Sequence, residues 1–152
     1  IGAGQRILNE LIFFDSISNI YLIDPNKNLD YSYNKLSNIF KDKKYIKKFD
    51  LGLSDKTEKL DYYNHKISSS SSFAITKKKI KEKKIDEFYK INKKQVYSFE
   101  KFKSKYKLNK PDIVKIDTEG YELKILNSIL KKNYPLIIQV ETNLNSHLFD
   151  KT

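Results

Sequence analysis

The segment Asp112-Ile-Val-Lys-Ile-Asp-Thr-Glu-Gly-Tyr121 predicts the fold of this chain more directly than any other. Its apolar run 113–116 is typical of a buried strand, and the run ends at Asp117, Glu119 and Gly120. A helical pattern of apolar residues follows at once: Tyr121, Leu123, Ile125, Leu126, Ile129 and Leu130. A strand that ends in acids and turns into a helix places those acids at the carboxyl edge of a sheet, where open α/β proteins bind ligands.

Asp117 and Glu119 admit two interpretations. Side chains two apart on an extended strand point to the same face, so the two carboxylates can act as a pair if the extended geometry persists to Glu119. Alternatively, Glu119 belongs to a solvated turn and is favoured there by the dipole of the helix that follows. The segment taken alone favours neither interpretation.

Strands and helices alternate along the rest of the chain. Apolar runs predict further strands at 19–24, 45–53, 59–63, 95–97 and 136–141. Helical spacing predicts helices at 6–14, 27–40, 77–94 and 99–106. Ser98 is placed to cap the last of these helices. This order predicts an α/β fold with a mostly parallel sheet covered on both faces.

The composition fits one domain over residues 1–152, with a formal net charge of +11. Arg6 is the only arginine. Lys, Asn and Ile have AT-rich codons, so a biased genome accounts for the lysines. Arginine, which recognises phosphates and bases best, is nearly absent, and we therefore expect no nucleic-acid partner.

Further expectations concern location and the chain ends. No apolar run is long enough to span a bilayer, and no cysteine is present, so we expect a cytoplasmic protein without a membrane partner. The start at Ile1-Gly-Ala-Gly4 predicts a domain truncated at its N-terminus, and its last strands would lie beyond Thr152. The serine run 68–72 predicts a mobile loop within a Ser/Lys-rich insertion at about 64–94.

A glycine turn and a later acid indicate a nucleotide-type ligand. Gly2 and Gly4 precede a predicted helix, which fits a backbone that approaches a ligand closely. Asp24 ends the next strand about twenty residues later, the spacing of a carboxylate that binds ribose hydroxyls. The alternative is that Asp24 caps the helix that follows it. A dehydrogenase would have a third glycine where Ile7 stands, which argues against an oxidoreductase.

Four acids each close a predicted strand. They are Asp24, Asp55, Asp117 and Glu141. One such acid is ordinary, but four at successive strand ends predict a polar, ligand-binding rim. His65 and His147 lack the spacing of metal ligands.

The segment 112–122 resembles the hallmark motif of the FkbM family of S-adenosylmethionine-dependent methyltransferases. Ile23-Asp-Pro25, Leu53-Ser-Asp55, the serine run and Pro135-Leu-Ile-Ile-Gln-Val-Glu141 also follow that family's order. The resemblance implies a class I methyltransferase fold, which is a Rossmann-like sheet of seven strands. Arg6 stands where the family usually has another glycine.

The same resemblance implies roles for individual residues. Six would bind the cofactor S-adenosylmethionine: Gly2, Ala3, Gly4, Asp24, Ser54 and Asp55. The three residues of the glycine turn would line its methionine part. Asp24 would hold the ribose hydroxyls, and Ser54 and Asp55 would lie beside the adenine. Asp117 and Glu119 would face the transferred methyl group and the acceptor.

We therefore expect an O-methyltransferase whose acceptor is a hydroxyl of a sugar, a glycan or another small molecule such as a secondary metabolite. A hydroxyl is a poor nucleophile until its proton is removed, so Asp117 or Glu119 is the expected base, or a metal ligand. Two oxygen donors could hold Mg²⁺, but the sequence does not require it. The alternatives are a degenerate Rossmann-like binding domain without activity and a nucleotide-dependent oxidoreductase.

Overall fold

The computed structural model describes residues 18–26, 29–40, 45–66, 71–132 and 134–141. Strands and helices alternate in these ranges, which makes the fold mixed α/β. In chain order the elements are β1 (Asn19–Ile23), α1 (Leu29–Ile39), β2 (Tyr45–Phe49), β3 (Gly52–Ser54), β4 (Glu58–His65), α2 (Lys77–Glu82), β5 (Tyr89–Ser98), α3 (Phe99–Tyr106), β6 (Ile113–Ile116), α4 (Glu122–Leu130) and β7 (Ile137–Val140).

The described strands form three sheets. β1 pairs with β2 and β6 pairs with β7, in both cases in parallel. β5 is the centre of the third sheet, parallel to β3 on one side and antiparallel to β4 on the other. The parallel pairs agree with the predicted α/β alternation, because parallel neighbours need a crossover segment between them.

One predicted helix is largely a strand. The spacing over 77–94 predicted a helix, but α2 ends at Glu82 and the chain turns through Lys84, whose φ is 53°. β5 then begins at Tyr89 and runs antiparallel to all eight residues of β4. A solvated lysine-rich helix buries little apolar surface, whereas β4 offers a long hydrogen-bonded ladder, so the non-local pairing prevails.

The single strand predicted over 45–53 is divided in two. β2 ends at Phe49 and β3 begins at Gly52, because the two pair with different neighbours. A Cβ at Gly52 would lie 2.6 Å from the Phe73 ring and 2.9 Å from Val96. Only glycine allows β3 to approach these side chains so closely.

One apolar core connects the parallel strand pairs to α3 and α4. Its buried members are Ile23, Phe49, Leu51, Leu53, Phe99, Phe102, Val114, Ile116, Tyr121, Ile125 and Ile129. The ring of Phe102 packs edge-on against Phe49 at 5.0 Å. This core fixes the carboxyl ends of β1, β2 and β6 relative to one another, and its close packing makes each of these positions sensitive to a change in volume.

The start of α3 confirms the predicted cap. The Ser98 hydroxyl accepts a hydrogen bond from the Lys101 backbone N–H at 3.4 Å. The Phe99 N–H donates to the hydroxyl of Ser128 in α4 at 2.8 Å, which ties the two helices together. None of the helices within the described ranges has the length and apolar character that crossing a membrane requires.

Candidate functional site

Acidic residues follow the ends of parallel strands. They are Asp24 after β1, Asp55 after β3, Asp117 after β6 and Glu141 after β7. The ladder bonds extend to two of them: Asp24 N–H donates to the Phe49 carbonyl at 3.2 Å, and Glu141 N–H donates to the Ile116 carbonyl at 2.9 Å. These acids therefore lie at carboxyl edges of their sheets.

The carboxyl groups of Asp117 and Glu141 lie next to each other, close enough to share a hydrogen bond when one of them is protonated. Burial, this hydrogen bond, and the charges of Glu141 and Glu119 raise the pKa of Asp117 to about 6, while Lys115 lowers it. Two adjacent carboxyls cannot both ionise without repulsion, so the pair keeps a proton to an unusually high pH. A carboxylate that titrates near neutrality is suited to accept a proton from a substrate.

The loop after Asp117 has an unusual backbone. Glu119 and Gly120 have φ of 54° and 93°. The extended geometry therefore does not persist to Glu119, and of the two interpretations the one that places both acids on a strand face does not hold. The charge of Glu119 nevertheless acts on Asp117.

Two side chains hold this loop. One carboxylate oxygen of Glu122, Oε1, accepts hydrogen bonds from Thr118 N–H at 2.8 Å, Thr118 Oγ1 at 3.0 Å and Gly120 N–H at 3.1 Å. From outside the motif, Ser72 Oγ donates to the Glu119 carbonyl at 2.7 Å. The loop is thus fixed from both sides.

Asp24 is a second acid with a perturbed pKa. Its Oδ1 accepts a hydrogen bond from Asn26 N–H at 2.7 Å, in the turn before α1. Burial raises the pKa of Asp24 to about 6, although the Asn26 bond and Lys94 oppose the rise. A carboxylate withdrawn from water is costly unless a donor satisfies it, and a ribose diol offers such donors. Asp24 therefore fits the role that the sequence predicts.

Ser54 and Asp55 differ in what they can offer a ligand. Ser54 is fully buried, and its hydroxyl donates to Asp55 Oδ1 at 3.0 Å. The same hydroxyl shares a 3.0 Å hydrogen bond with the phenol of Tyr121. Asp55 is half-buried, so it is the one of the two that can face a ligand while Ser54 orients it.

The last two serines of the run are ordered within the protein, and for them the prediction of a mobile loop is wrong. Ser71 and Ser72 are 8% and 1% exposed. Ser72 exchanges two backbone hydrogen bonds of 3.0 Å with Tyr63. Ser71 Oγ accepts from His65 N–H at 2.9 Å and donates to Asn64 Oδ1 at 3.0 Å.

The aromatic residues near the serine run form packing contacts. Tyr62 is buried, and its ring lies 4.8 Å from that of Phe73. Burial and the nearby charge of Asp24 raise the pKa of Tyr62. The His65 ring stacks on that of Phe88 at 6.1 Å.

Some predicted residues lie outside the described ranges: Gly2, Ala3, Gly4, Arg6 and His147. Their roles stay predictions. Within the described part of the chain, no three His, Asp or Glu side chains are grouped as a metal site requires.

Sequence reasoning missed Glu122 and Ser72 as supports of the acid loop. Glu122 carried a readable signal, because an acid just after a turn glycine and at a helix start often accepts free N–H groups. Ser72 carried none, since it is one of five identical neighbours.

One known protein family matches most of the chain. A family model described as "Methyltransferase FkbM domain" matches residues 8–151, which include the acid-ended strands and the loop that Glu122 and Ser72 hold. Neither a curated protein nor a solved structure gives a significant match. Since the family match spans nearly the whole sequence, the chain belongs to the FkbM methyltransferase family.

Proposed function

We propose that this methyltransferase uses S-adenosylmethionine to methylate a hydroxyl on a sugar or a secondary metabolite. The observation that carries the proposal is the placement of the Asp117 and Glu141 carboxyl groups side by side at adjacent strand ends, where the pKa of Asp117 is raised to about 6. A base with a pKa in this range accelerates methyl transfer to a hydroxyl, because it can take up the hydroxyl proton near neutral pH. We further propose that the parallel strand pairs are parts of one Rossmann-like class I sheet.

The described residues fit the cofactor's polar parts. S-adenosylmethionine supplies a methyl group on a sulfonium centre, which makes the group electrophilic. Asp24 Oδ1 already accepts a hydrogen bond from Asn26 N–H. The other carboxylate oxygen would accept hydrogen bonds from the ribose hydroxyls. Asp55, held by Ser54, would lie beside the adenine.

Asp117 is the proposed base. With a pKa of about 6, it is mostly ionised at pH 7.5 and can still take up a proton. Removal of the acceptor's hydroxyl proton by a placed carboxylate contributes about 10²–10⁴-fold to the rate. Alignment of donor and acceptor contributes up to roughly 7–11 kcal/mol, so the fixed loop beside Asp117 matters as much as its charge.

A thermal-shift comparison tests the proposal. S-adenosylmethionine at a hundred times its Kd should stabilise the protein by about 2.7 kcal/mol. NAD⁺ at the same concentration should produce no shift, and Asp24→Asn should reduce the stabilisation given by S-adenosylmethionine to about 1.4 kcal/mol or less, as a tenfold weaker affinity requires. A shift with NAD⁺ alone would favour an oxidoreductase, and no shift with either would favour a degenerate binding domain.

A further inference from the structure

The loop Thr118–Gly120 has a conformation that its sequence does not favour. Glu119 lies in the left-handed region with φ of 54°. This region is sterically unfavourable for a residue with a Cβ. Strain of this kind persists only where surrounding contacts impose it. The contacts of the loop therefore hold it in this conformation.

Ser72 supplies one such contact from a distant part of the chain. Its hydroxyl donates to the Glu119 carbonyl at 2.7 Å and lies 3.3 Å from the Thr118 carbonyl. It accepts from Ala74 N–H at 2.9 Å, which fixes the direction of the donated hydrogen. Because Ser72 is only 1% exposed, water cannot replace these hydrogen-bond partners.

Ser72 is itself anchored. Its two backbone bonds with Tyr63 join it to β4, which pairs with β5 over its whole length. Asp117, in contrast, follows β6, in a different sheet. The Ser72 hydroxyl therefore ties the acid loop to a second rigid element.

We infer that Ser72 is a positioning residue, which holds the Thr118–Gly120 loop in its left-handed conformation and so sets where the carboxylates of Asp117 and Glu119 lie. The effect of Ser72 on catalysis rests on the proposed function, whereas its effect on the loop conformation does not depend on that function. Ser72 acts through the backbone of Glu119 and does not need to touch the substrate.

The neighbouring serine is a matched control. Ser71 is buried, belongs to the same run, and also donates one hydrogen bond and accepts another. Its hydroxyl partners are Asn64, His65 and Tyr62, all of which belong to β4. Ser71→Ala and Ser72→Ala therefore remove the same atom from adjacent positions, but only the second releases the loop.

The glycines make the loop observable. The chain has four, so ¹⁵N-glycine labelling gives a simple spectrum in which Gly120 reports the loop and Gly52 reports β3. Ser72→Ala should shift the Gly120 signal and raise its amide exchange with water at least threefold, while the Gly52 signal stays in place. Ser71→Ala should move neither. An unchanged Gly120 in Ser72→Ala, or an equal change in both variants, overturns the inference.

Two further measurements complete the test. If Ser72→Ala does not fold, Ser72→Cys replaces the hydroxyl by a weak donor and should change Gly120 in the same direction, and no change would overturn the inference. Ser72→Ala should also slow methyl transfer at least tenfold while the Kd for S-adenosylmethionine stays within twofold. Absence of cofactor binding in the wild type overturns the proposed function alone, whereas normal binding with an unaffected Gly120 overturns the role of Ser72 alone.

Discussion

The carboxyl group of Asp117, which follows β6, lies next to that of Glu141, which follows β7. The two residues meet because Ile116 and Val140 are partners in the parallel ladder, so the next residue of each strand emerges at the same edge. The proton that the pair retains should affect both the rate of methyl transfer and the stability of the fold, in separable ways.

The first prediction concerns the rate. Asp117→Asn should lower the rate of methyl transfer by about 10²–10⁴-fold, because an amide cannot accept the proton. The Kd for S-adenosylmethionine should change little, since the loss falls on the transition state. Single-turnover assays with labelled cofactor, together with calorimetry, measure the two quantities.

The wild-type rate should rise with pH through about 6, as the Asp117 pKa requires. A chelator should leave turnover intact, and abolition with recovery on added Mg²⁺ would show that the acids hold a metal instead. Wild-type rates in both Asp117→Asn and Glu119→Gln with a known acceptor would show that the catalytic assignment is wrong.

The second prediction concerns stability. The pKa of Asp117 is about 6 in the folded protein and near 3.8 in an exposed chain, so the folded state binds the proton more tightly. This contribution to stability is fully present below pH 3.8 and is lost as the pH rises through 6. The Tm of Asp117→Asn minus the Tm of the wild type should therefore be more positive at pH 7.5 than at pH 4.5.

Calorimetry at the two pH values measures this difference, and the same substitution at exposed Asp86 provides the control. A Tm difference that stays constant between the two pH values would contradict the prediction.

The third prediction concerns the cofactor. A hydrogen bond to a charged group contributes about 1.5–3 kcal/mol, so Asp24→Ala should weaken the binding of S-adenosylmethionine at least tenfold. Asp50 is the control: it follows β2, is exposed, and pairs with Lys94 at 2.9 Å. Asp50→Asn should change the affinity less than threefold. Isothermal titration calorimetry would refute the ribose assignment if Asp24→Ala binds as the wild type does.

The fourth prediction concerns Glu122. Its carboxylate satisfies three donors of the loop, so Glu122→Ala should lower the free energy of unfolding by about 1.5–3 kcal/mol. The control, Glu82→Ala, removes an exposed acid that lies 3.9 Å from Lys78 and should cost less than about 1 kcal/mol. Urea titrations give both values, and equal costs would mean that Glu122 is an ordinary surface residue.

The fifth prediction concerns the basic charge. Binding to duplex DNA at physiological salt should be weak, independent of sequence and strongly reduced by added salt, because diffuse lysines make only non-specific phosphate contacts. Filter binding with several unrelated duplexes measures this. Submicromolar, sequence-selective binding would reverse our expectation that nucleic acid is not a partner.

Much of the fold was predictable where local and tertiary preferences agree. The elements β1, α1, α3, β6, α4 and β7 lie where apolar periodicity placed them. All of them pack apolar side chains against a core, although β7 only half-buries Ile138 and Val140. The strand β5 was not predictable from its own residues. Its exposed lysines and Ile91 fit a solvated helix as well as a strand, and only the partner β4 decides between them.

The site was predictable at the level of residue types. Strand-terminal acids can be read from sequence, and so Asp24, Asp117 and Glu141 were found. The placement of the Asp117 and Glu141 carboxyl groups side by side depends on strand register, which local patterns do not fix. The left-handed backbone at Glu119 depends on contacts from a segment more than forty residues away, and no rule of local sequence contains it.

The serine run has a consequence for how this chain can change during evolution. Its last two members, Ser71 and Ser72, have defined hydrogen-bond partners. Both directly precede Phe73 in the sequence. Loss or gain of one serine codon by replication slippage still leaves two serines directly before Phe73. Such events would change the number of residues between His65 and Ser71, while both anchored hydroxyls are restored by an identical residue. A repetitive tract thus gives this domain a way to vary in length beside its acid loop without a compensating point mutation.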